Sequence, residues 1–100
     1  MTPRTDRTAI SILLSGLLDA GWAFDRVDYF DGDVERPGNL DEAMDMIMSV
    51  DQSMVVMHFG GRTGWLFFVL GNAPIEVLAD HSVNMESFVR PIVDPWWELG

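Results

Sequence analysis

The sequence contains no cysteine and no lysine, and its six arginines face sixteen aspartates and glutamates. The lack of cysteine excludes a disulfide scaffold, a thiolate metal site and a cysteine nucleophile. The formal net charge of −10 repels nucleic acids and anionic membranes, which argues against DNA or RNA binding by the chain itself. The longest apolar run, residues 65–70, is too short to span a bilayer, and from the charged N-terminal stretch we expect no signal peptide. These absences predict a soluble, cytoplasmic, acidic protein.

The first part of the chain predicts a helix followed by a strand. Over residues 5–20, leucine and isoleucine recur every three or four positions, as on one buried helix face. Thr5 or Asp6 can cap the start of this helix, and Gly21 suits a left-handed residue at its end. Residues 22–30 are rich in aromatic side chains and predict a strand. The alternation of apolar and polar residues is interrupted near its middle, which indicates a bulge.

The middle of the chain predicts a second helix and a hairpin. Residues 31–38 have the composition of a loop, and Asn39 is a good N-cap with Glu42 in the capping-box position. The apolar runs 54–59 and 65–70 are joined by a glycine-rich segment, which is typical of a β-hairpin. Neither run alternates cleanly, so both faces of the sheet are expected to be covered, at least in part.

The last part predicts one more helix. Residues 75–78 fit either a strand or a helical turn, and Asn84 can cap a helix that Pro91 makes irregular and Pro95 ends. Together, the predicted elements form a single α+β domain, residues 1–100, with the order α-β-α-β-β-α. We expect a three-stranded antiparallel sheet packed with helices, in which the first strand can pair with either strand of the hairpin.

Acidic residues are concentrated in one third of the chain. Ten of the sixteen lie between Asp19 and Asp51, opposed only by Arg26 and Arg36, so this segment carries −8 and the remainder −2. Surfaces that serve only solubility usually mix both signs, because this avoids self-repulsion. The concentration leaves two interpretations open: a solvated face, or a surface that binds a basic partner.

The same residues come close to a calcium-binding loop without matching it. Asp31, Asp33, Glu35 and Glu42 occupy positions 1, 3, 5 and 12 of such a loop, but Arg36 stands where the sharp turn needs glycine. Glu42 also has a competing role as a helix cap. We therefore expect no specific metal site.

Catalytic motifs are not recognisable in the chain. Asp80, His81 and Ser82 are triad residue types, but adjacent residues cannot face one another as a triad requires, and we expect a turn there. His58 lies in an apolar strand, where a hydrogen-bonded core residue is commoner than a ligand. We expect a protein that is not an enzyme and needs no cofactor.

A rigid set of carboxylates can occupy a groove that otherwise binds phosphates, because DNA presents negative charges at regular intervals. Asp41 and Asp45 lie one helical turn apart on the outer side of the second predicted helix. With the acidic residues of the neighbouring strand and loop they predict a track that binds a basic, nucleic-acid-binding surface and blocks DNA binding by charge mimicry. The candidate partner-binding residues are Asp25, Asp28, Asp31, Asp33, Glu35, Asp41, Glu42 and Asp45.

An alternative function is a non-catalytic interaction module that docks through an aromatic or methionine-rich surface, its acidity serving solubility. Trp96 and Trp97 bear on this choice. Such a pair either seals the edge of a small core or forms an exposed anchor of the kind enriched at binding hot spots.

Residues 71–84, GNAPIEVLADHSVN, are similar to a stretch of small phage proteins. With its size and acidity, the chain resembles the anti-CRISPR inhibitors of bacteriophages and mobile elements, several of which are DNA mimics. The resemblance implies a protein that acts in the host cytoplasm on the DNA-binding surface of a CRISPR surveillance complex, of type I. Anti-CRISPR proteins share no common motif, so the resemblance assigns no site residues.

Overall fold

The computed structural model describes residues 3–99, with the side chains of residues 3–96. No helix in this range is long and apolar enough to cross a membrane. Short 3-10 turns at Pro74–Glu76 and Val83–Met85 flank the last strand. The elements follow the order α1 (Asp6–Ala20), β1 (Ala23–Asp28), β2 (Val34–Glu35), α2 (Leu40–Met48), β3 (Gln52–Phe59), β4 (Arg62–Val69), β5 (Leu78–His81) and α3 (Glu86–Leu99).

The fold is α+β, as predicted, with one antiparallel sheet in the order β2-β1-β3-β4-β5. Of the two hairpin strands, β3 is the one that pairs with β1. The prediction of three strands is wrong, because β2 and β5 are added at the two edges. β2 has only two exposed residues inside a segment of turn-forming composition, and β5 begins two residues after a 3-10 turn. Pairing with a neighbour, not local sequence, makes these segments strands.

The predicted helix caps and bulge are largely confirmed. The Thr5 side chain accepts the N–H of Thr8 at 3.0 Å, and Gly21 ends α1 with φ of 112°. At α2, the N–H of Glu42 donates to the Asn39 side chain at 2.9 Å, which confirms the cap. The predicted capping box is wrong in its second bond, because the Glu42 carboxylate accepts the N–H of Gly38, one residue before the cap. The register of β1 against β3 shifts between Phe24 and Arg26, where a bulge was expected.

The hairpin and the last helix differ in detail from expectation. Gly60 and Gly61, with φ of 55° and 84°, form the whole turn, so β4 starts at Arg62. Asn84 does not cap a helix through its side chain; its amide donates to the Thr63 carbonyl at 2.9 Å. Pro95 lies inside α3 instead of ending it. Proline has no N–H to donate to the carbonyl four residues earlier in the helix. Because this part of α3 is exposed, water can bind that carbonyl instead.

Three helices form one layer on one face of the sheet. α1 packs against both α2 and α3, and its buried leucines belong to the same core cluster as inward residues of the sheet. The sheet residues of this cluster are Val27, Val55, Met57, Leu66, Phe68 and Leu78. The core therefore lies between one helical layer and one sheet face. The other face lies outside this core, and its residues on β3 and β4 are covered only in part, by side chains of the sheet and its turns.

A glycine in β4 lets the segment after β5 approach the sheet closely. Gly64 is buried, and a Cβ placed on it would lie 2.5 Å from Cγ and 2.6 Å from Sδ of Met85, which is fully buried. Next to it, the N–H of Trp65 donates to the Ser82 hydroxyl at 3.0 Å. No larger side chain fits there unless Met85 moves.

We expect Gly64→Ala to lower the free energy of unfolding by about 1–3 kcal/mol, because overpacking forces buried side chains off their rotamers. Thr63→Ala, at the exposed neighbouring position, is the control and should cost less than about 1 kcal/mol. Urea unfolding measures both. Equal stabilities of Gly64→Ala and wild type would show that the segment carrying Met85 does not pack against β4.

Candidate functional site

The sheet face opposite the helices is apolar and lies outside the core that the helices form; we call it the open face. Strand register assigns its members, because cross-strand partners share a face. None of them belongs to the core cluster or packs against it. Val56 is nonetheless 3% exposed, and Met54, Trp65, Phe67 and Val69 are half-buried. The apolar residues of the open face are Phe30, Val34, Met54, Val56, Trp65, Phe67 and Val69.

Two rows of side chains cross the centre of the open face. One row runs through Arg26, Val56 and Trp65. The other runs through Asp28, Met54, Phe67 and Asp80, on β1, β3, β4 and β5. This second row places an apolar pair between two carboxylates, about 14 Å apart at about 4.8 Å per strand.

Phe30 adds an aromatic ring to the open face at a conformational cost. It has φ of 64° and is the one non-glycine residue with positive φ in the described chain. Its N–H donates to the Asp28 carboxylate at 2.9 Å, and its ring meets Phe67 edge to face, with centroids 5.4 Å apart. The ring remains 54% exposed. A large aromatic residue in the left-handed region, where glycine is favoured, is a local strain of the kind found at functional sites.

Two carboxylates border the open face without ion pairs to the described residues. Asp28 accepts the Phe30 N–H, and Asp80 accepts the His81 N–H at 2.8 Å. Neither lies within 4 Å of an arginine or histidine nitrogen of that part of the chain. Arg26, on the same face, is held by Asp25 at 3.2 Å. The border of the apolar patch is therefore negative.

Other predicted site residues meet at a shallow pocket between β2 and α2. Glu35, Glu42 and Asp45 line it together with Tyr29, around a volume of about 330 Å³. The Tyr29 hydroxyl donates to Glu35 at 2.9 Å, and Glu42 accepts the N–H of Gly38 at 2.8 Å. Burial raises the pKa of Tyr29 to about 12, assisted by the hydrogen bond to Glu35 and by nearby negative charge. We call this group the acidic pocket.

The remaining predicted residues lie in β1, in the loop before β2 and in α2. Asp25 is shared by Arg26 and by Arg36, at 3.2 and 3.8 Å. Asp31 accepts the N–H of Asp33 in the exposed loop before β2. Asp41 is exposed on α2.

The structure thus divides the eight predicted residues between two sides of the sheet. Glu35, Glu42 and Asp45 meet on the side of the helices, whereas Asp28 points to the open face. A second cleft, of about 410 Å³, is lined by none of the eight. They share one region of the chain but do not form one unbroken row.

Neither the segment Asp80–Ser82 nor the loop that resembles a calcium-binding loop forms the site that its residue types suggest. Asp80 and His81 lie in β5, not in a turn, and Ser82 bonds the main chain of β4. Among the described residues, no group of three or more acidic, histidine or cysteine side chains is placed to hold a metal ion. His58 is exposed on β3, contrary to the expectation of a core histidine.

Sequence reasoning missed the open face because both sides of β4 are apolar. Trp65, Phe67 and Val69 alternate with Leu66 and Phe68, and only the placement of the helices decides which set is covered. Trp96, expected either to seal the core or to anchor a partner, is 3% exposed and belongs to the core. The side chain of Trp97 lies outside the described residues.

The chain matches no protein-family model, and no curated protein or solved structure is significantly similar to it. The resemblance to anti-CRISPR proteins stays a prediction, since no relative tests it.

Tyr29 is the only tyrosine, so its titration in the near ultraviolet reports on the acidic pocket alone. We expect native protein to form phenolate with a midpoint near pH 12, above the ordinary value of 10.0. A native pKa above the unfolded one means that this contribution to stability is present below about pH 10 and is lost as the pH rises towards 12.

Glu35→Gln should lower the midpoint, because it removes the charge that opposes the phenolate. Glu42→Gln makes the same change of charge without touching the Tyr29 hydroxyl and should shift the midpoint less. Equal shifts in the two variants would contradict the pairing of Tyr29 with Glu35.

Proposed function

We propose that this chain is a non-catalytic protein-binding domain that docks through its open face. The observation that supports the proposal is the row in which Met54 and Phe67 lie between Asp28 and Asp80, outside the core. Contiguous exposed apolar patches with polar rims mark interaction sites in soluble proteins. The side chains that would be desolvated are aromatic residues and methionine, which are enriched at interfaces.

Phe30 supports the same proposal. A residue in the left-handed conformation costs about 1–2 kcal/mol unless it is glycine. The strained turn presents a half-exposed ring beside Phe67, where it extends the apolar surface. Glycine would form this turn without strain, so the fold alone does not require phenylalanine here. A contact between the ring and a partner would explain it.

A second candidate function is charge mimicry, favoured by the three carboxylates of the acidic pocket and the net charge of −10. In this proposal the acidic side of β2 and α2 binds the DNA-binding surface of a host-defence complex in the bacterial cytoplasm. A type I CRISPR surveillance complex is the candidate that the resemblance implies. Binding would be fast and would weaken strongly with salt.

Site-specific photo-cross-linking distinguishes the two. Benzoylphenylalanine is placed at position 67 on the open face or at position 41 on α2, in lysate of a bacterium with a type I CRISPR system. Cross-linked proteins are identified by mass spectrometry, at salt of roughly 0.1 M and 0.5 M, which bracket weak and strong screening. Docking through the open face predicts a defined product from position 67 that persists at the higher salt.

The partner so identified is then purified and its affinity measured. Phe30→Gly should weaken binding while leaving the free energy of unfolding within about 1 kcal/mol, because the relief of strain offsets the lost ring contact. Cross-links from position 41 alone, lost at high salt, would support charge mimicry and contradict docking through the open face. Cross-links from neither position would contradict both.

A further inference from the structure

We propose that the occupant of the open face is an amphipathic helix of a partner protein, with basic residues along both sides of its apolar stripe. This inference rests on the proposed function, because it names the partner of the same face. It follows from three properties of the face: its width, its length and the sign of its border.

The width between the bordering carboxylates fits one helix. Asp28 and Asp80 are three strands apart, about 14 Å, and the floor between them is Met54 and Phe67. An α-helix with its side chains is about 10–12 Å across. A helix aligned with β3 and β4 would place its apolar stripe on the floor, and residues on its two sides would face the two carboxylates.

The length of the floor sets the length of the helix. Trp65, Phe67 and Val69 follow one another on the open face of β4, and two-residue steps of about 6.6 Å span about 13 Å. At 1.5 Å per residue, about nine residues cover this distance. Two to three helical turns, with apolar residues three and four apart, therefore match the floor.

Charge selects among possible occupants. The border carboxylates have no ion pair in the described chain and lie beside an apolar surface, so they favour arginine or lysine on the partner. A second copy with the same face would bring like charges together, and each copy carries −10. Nucleic acid is repelled for the same reason.

Helices already pack against the other face of this sheet. That face is covered by one helical layer, with apolar side chains of strands and helices in a common cluster. A helix on the open face would complete a three-layer arrangement, in which both apolar faces of the sheet are buried. The Phe30 ring lies edge to face on Phe67, so a helix on this floor packs against that ring or displaces it.

An unbiased selection tests the inference. A random peptide-display library is panned against the wild-type chain and counter-selected against Phe67→Thr, so that sequences which need the open face are enriched. We expect enriched peptides to be net positive, with apolar residues at spacings of three and four, and to become helical when bound, as measured by circular dichroism. Phe67→Thr keeps a strand-forming residue at a position outside the core, so folding should survive the change.

A charge-matched pair of double variants then tests the border. Asp28→Asn with Asp80→Asn retains oxygen acceptors for the two main-chain N–H groups and should weaken binding of a selected peptide about tenfold, because two partner ion pairs are lost. Asp19→Asn with Glu76→Gln changes the net charge equally at exposed positions on α1 and on the 3-10 turn before β5, and should change affinity less than twofold.

The outcomes separate this inference from the proposed function. Enriched peptides that need Phe67 but are neutral, acidic or extended would overturn the basic helix and leave the open face as a binding surface. No enrichment dependent on Phe67 would contradict both. Self-association of the free chain through this face, measured by sedimentation and abolished by Phe67→Thr, would replace the helix by a second copy and also overturn the inference.

Discussion

Three helices pack as one layer against one face of the sheet, and this one-sided packing determines the character of the other face. The inward residues of β1, β3, β4 and β5 share a core with α1, α2 and α3. The outward residues of the same strands are also apolar, and none of them belongs to the core cluster that the helices share. A sheet with two apolar faces and one covering layer either exposes one face to water or buries it against another molecule.

The distribution of charge makes such a face compatible with a folded monomer. The turn before β2 places a phenylalanine ring against Phe67, and Val56 is 3% exposed, so part of the apolar surface is shielded. Asp28 and Asp80 border the patch, and the net charge of −10 opposes contact between copies. The acidity of the chain therefore has two roles in this account: it limits self-association, and it favours a basic partner.

Much of the fold could be predicted from the sequence wherever a local signal specifies an element. Helical periodicity, the caps at Thr5, Gly21 and Asn39, and the bulge in β1 depend on neighbours in the chain, and all are confirmed. β2 and β5 could not be predicted, because short edge strands are defined by the strand beside them. Local composition assigned β2 to a loop and placed Asp80 and His81 in a turn.

The candidate site was less accessible to sequence reasoning. Charge counting found the acidic segment but not its division between two sides of the sheet, since adjacent strand residues point in opposite directions. In β4, Phe67 and Phe68 are chemically identical neighbours, and only tertiary packing makes one of them core and the other surface. Of the two roles that the sequence allows for Trp96, sealing the core or anchoring a partner, the structure shows the first.

The free energies of unfolding of Phe67→Thr and Phe68→Thr, measured side by side in urea, test one-sided packing most directly. The two variants make the same chemical change at adjacent positions of β4, one on each face of the sheet. Phe68 is fully buried, so its loss should cost more than about 3 kcal/mol, whereas Phe67→Thr should cost less than about 1.5 kcal/mol. Equal and large losses would show that both faces are core, and would contradict the existence of an open face.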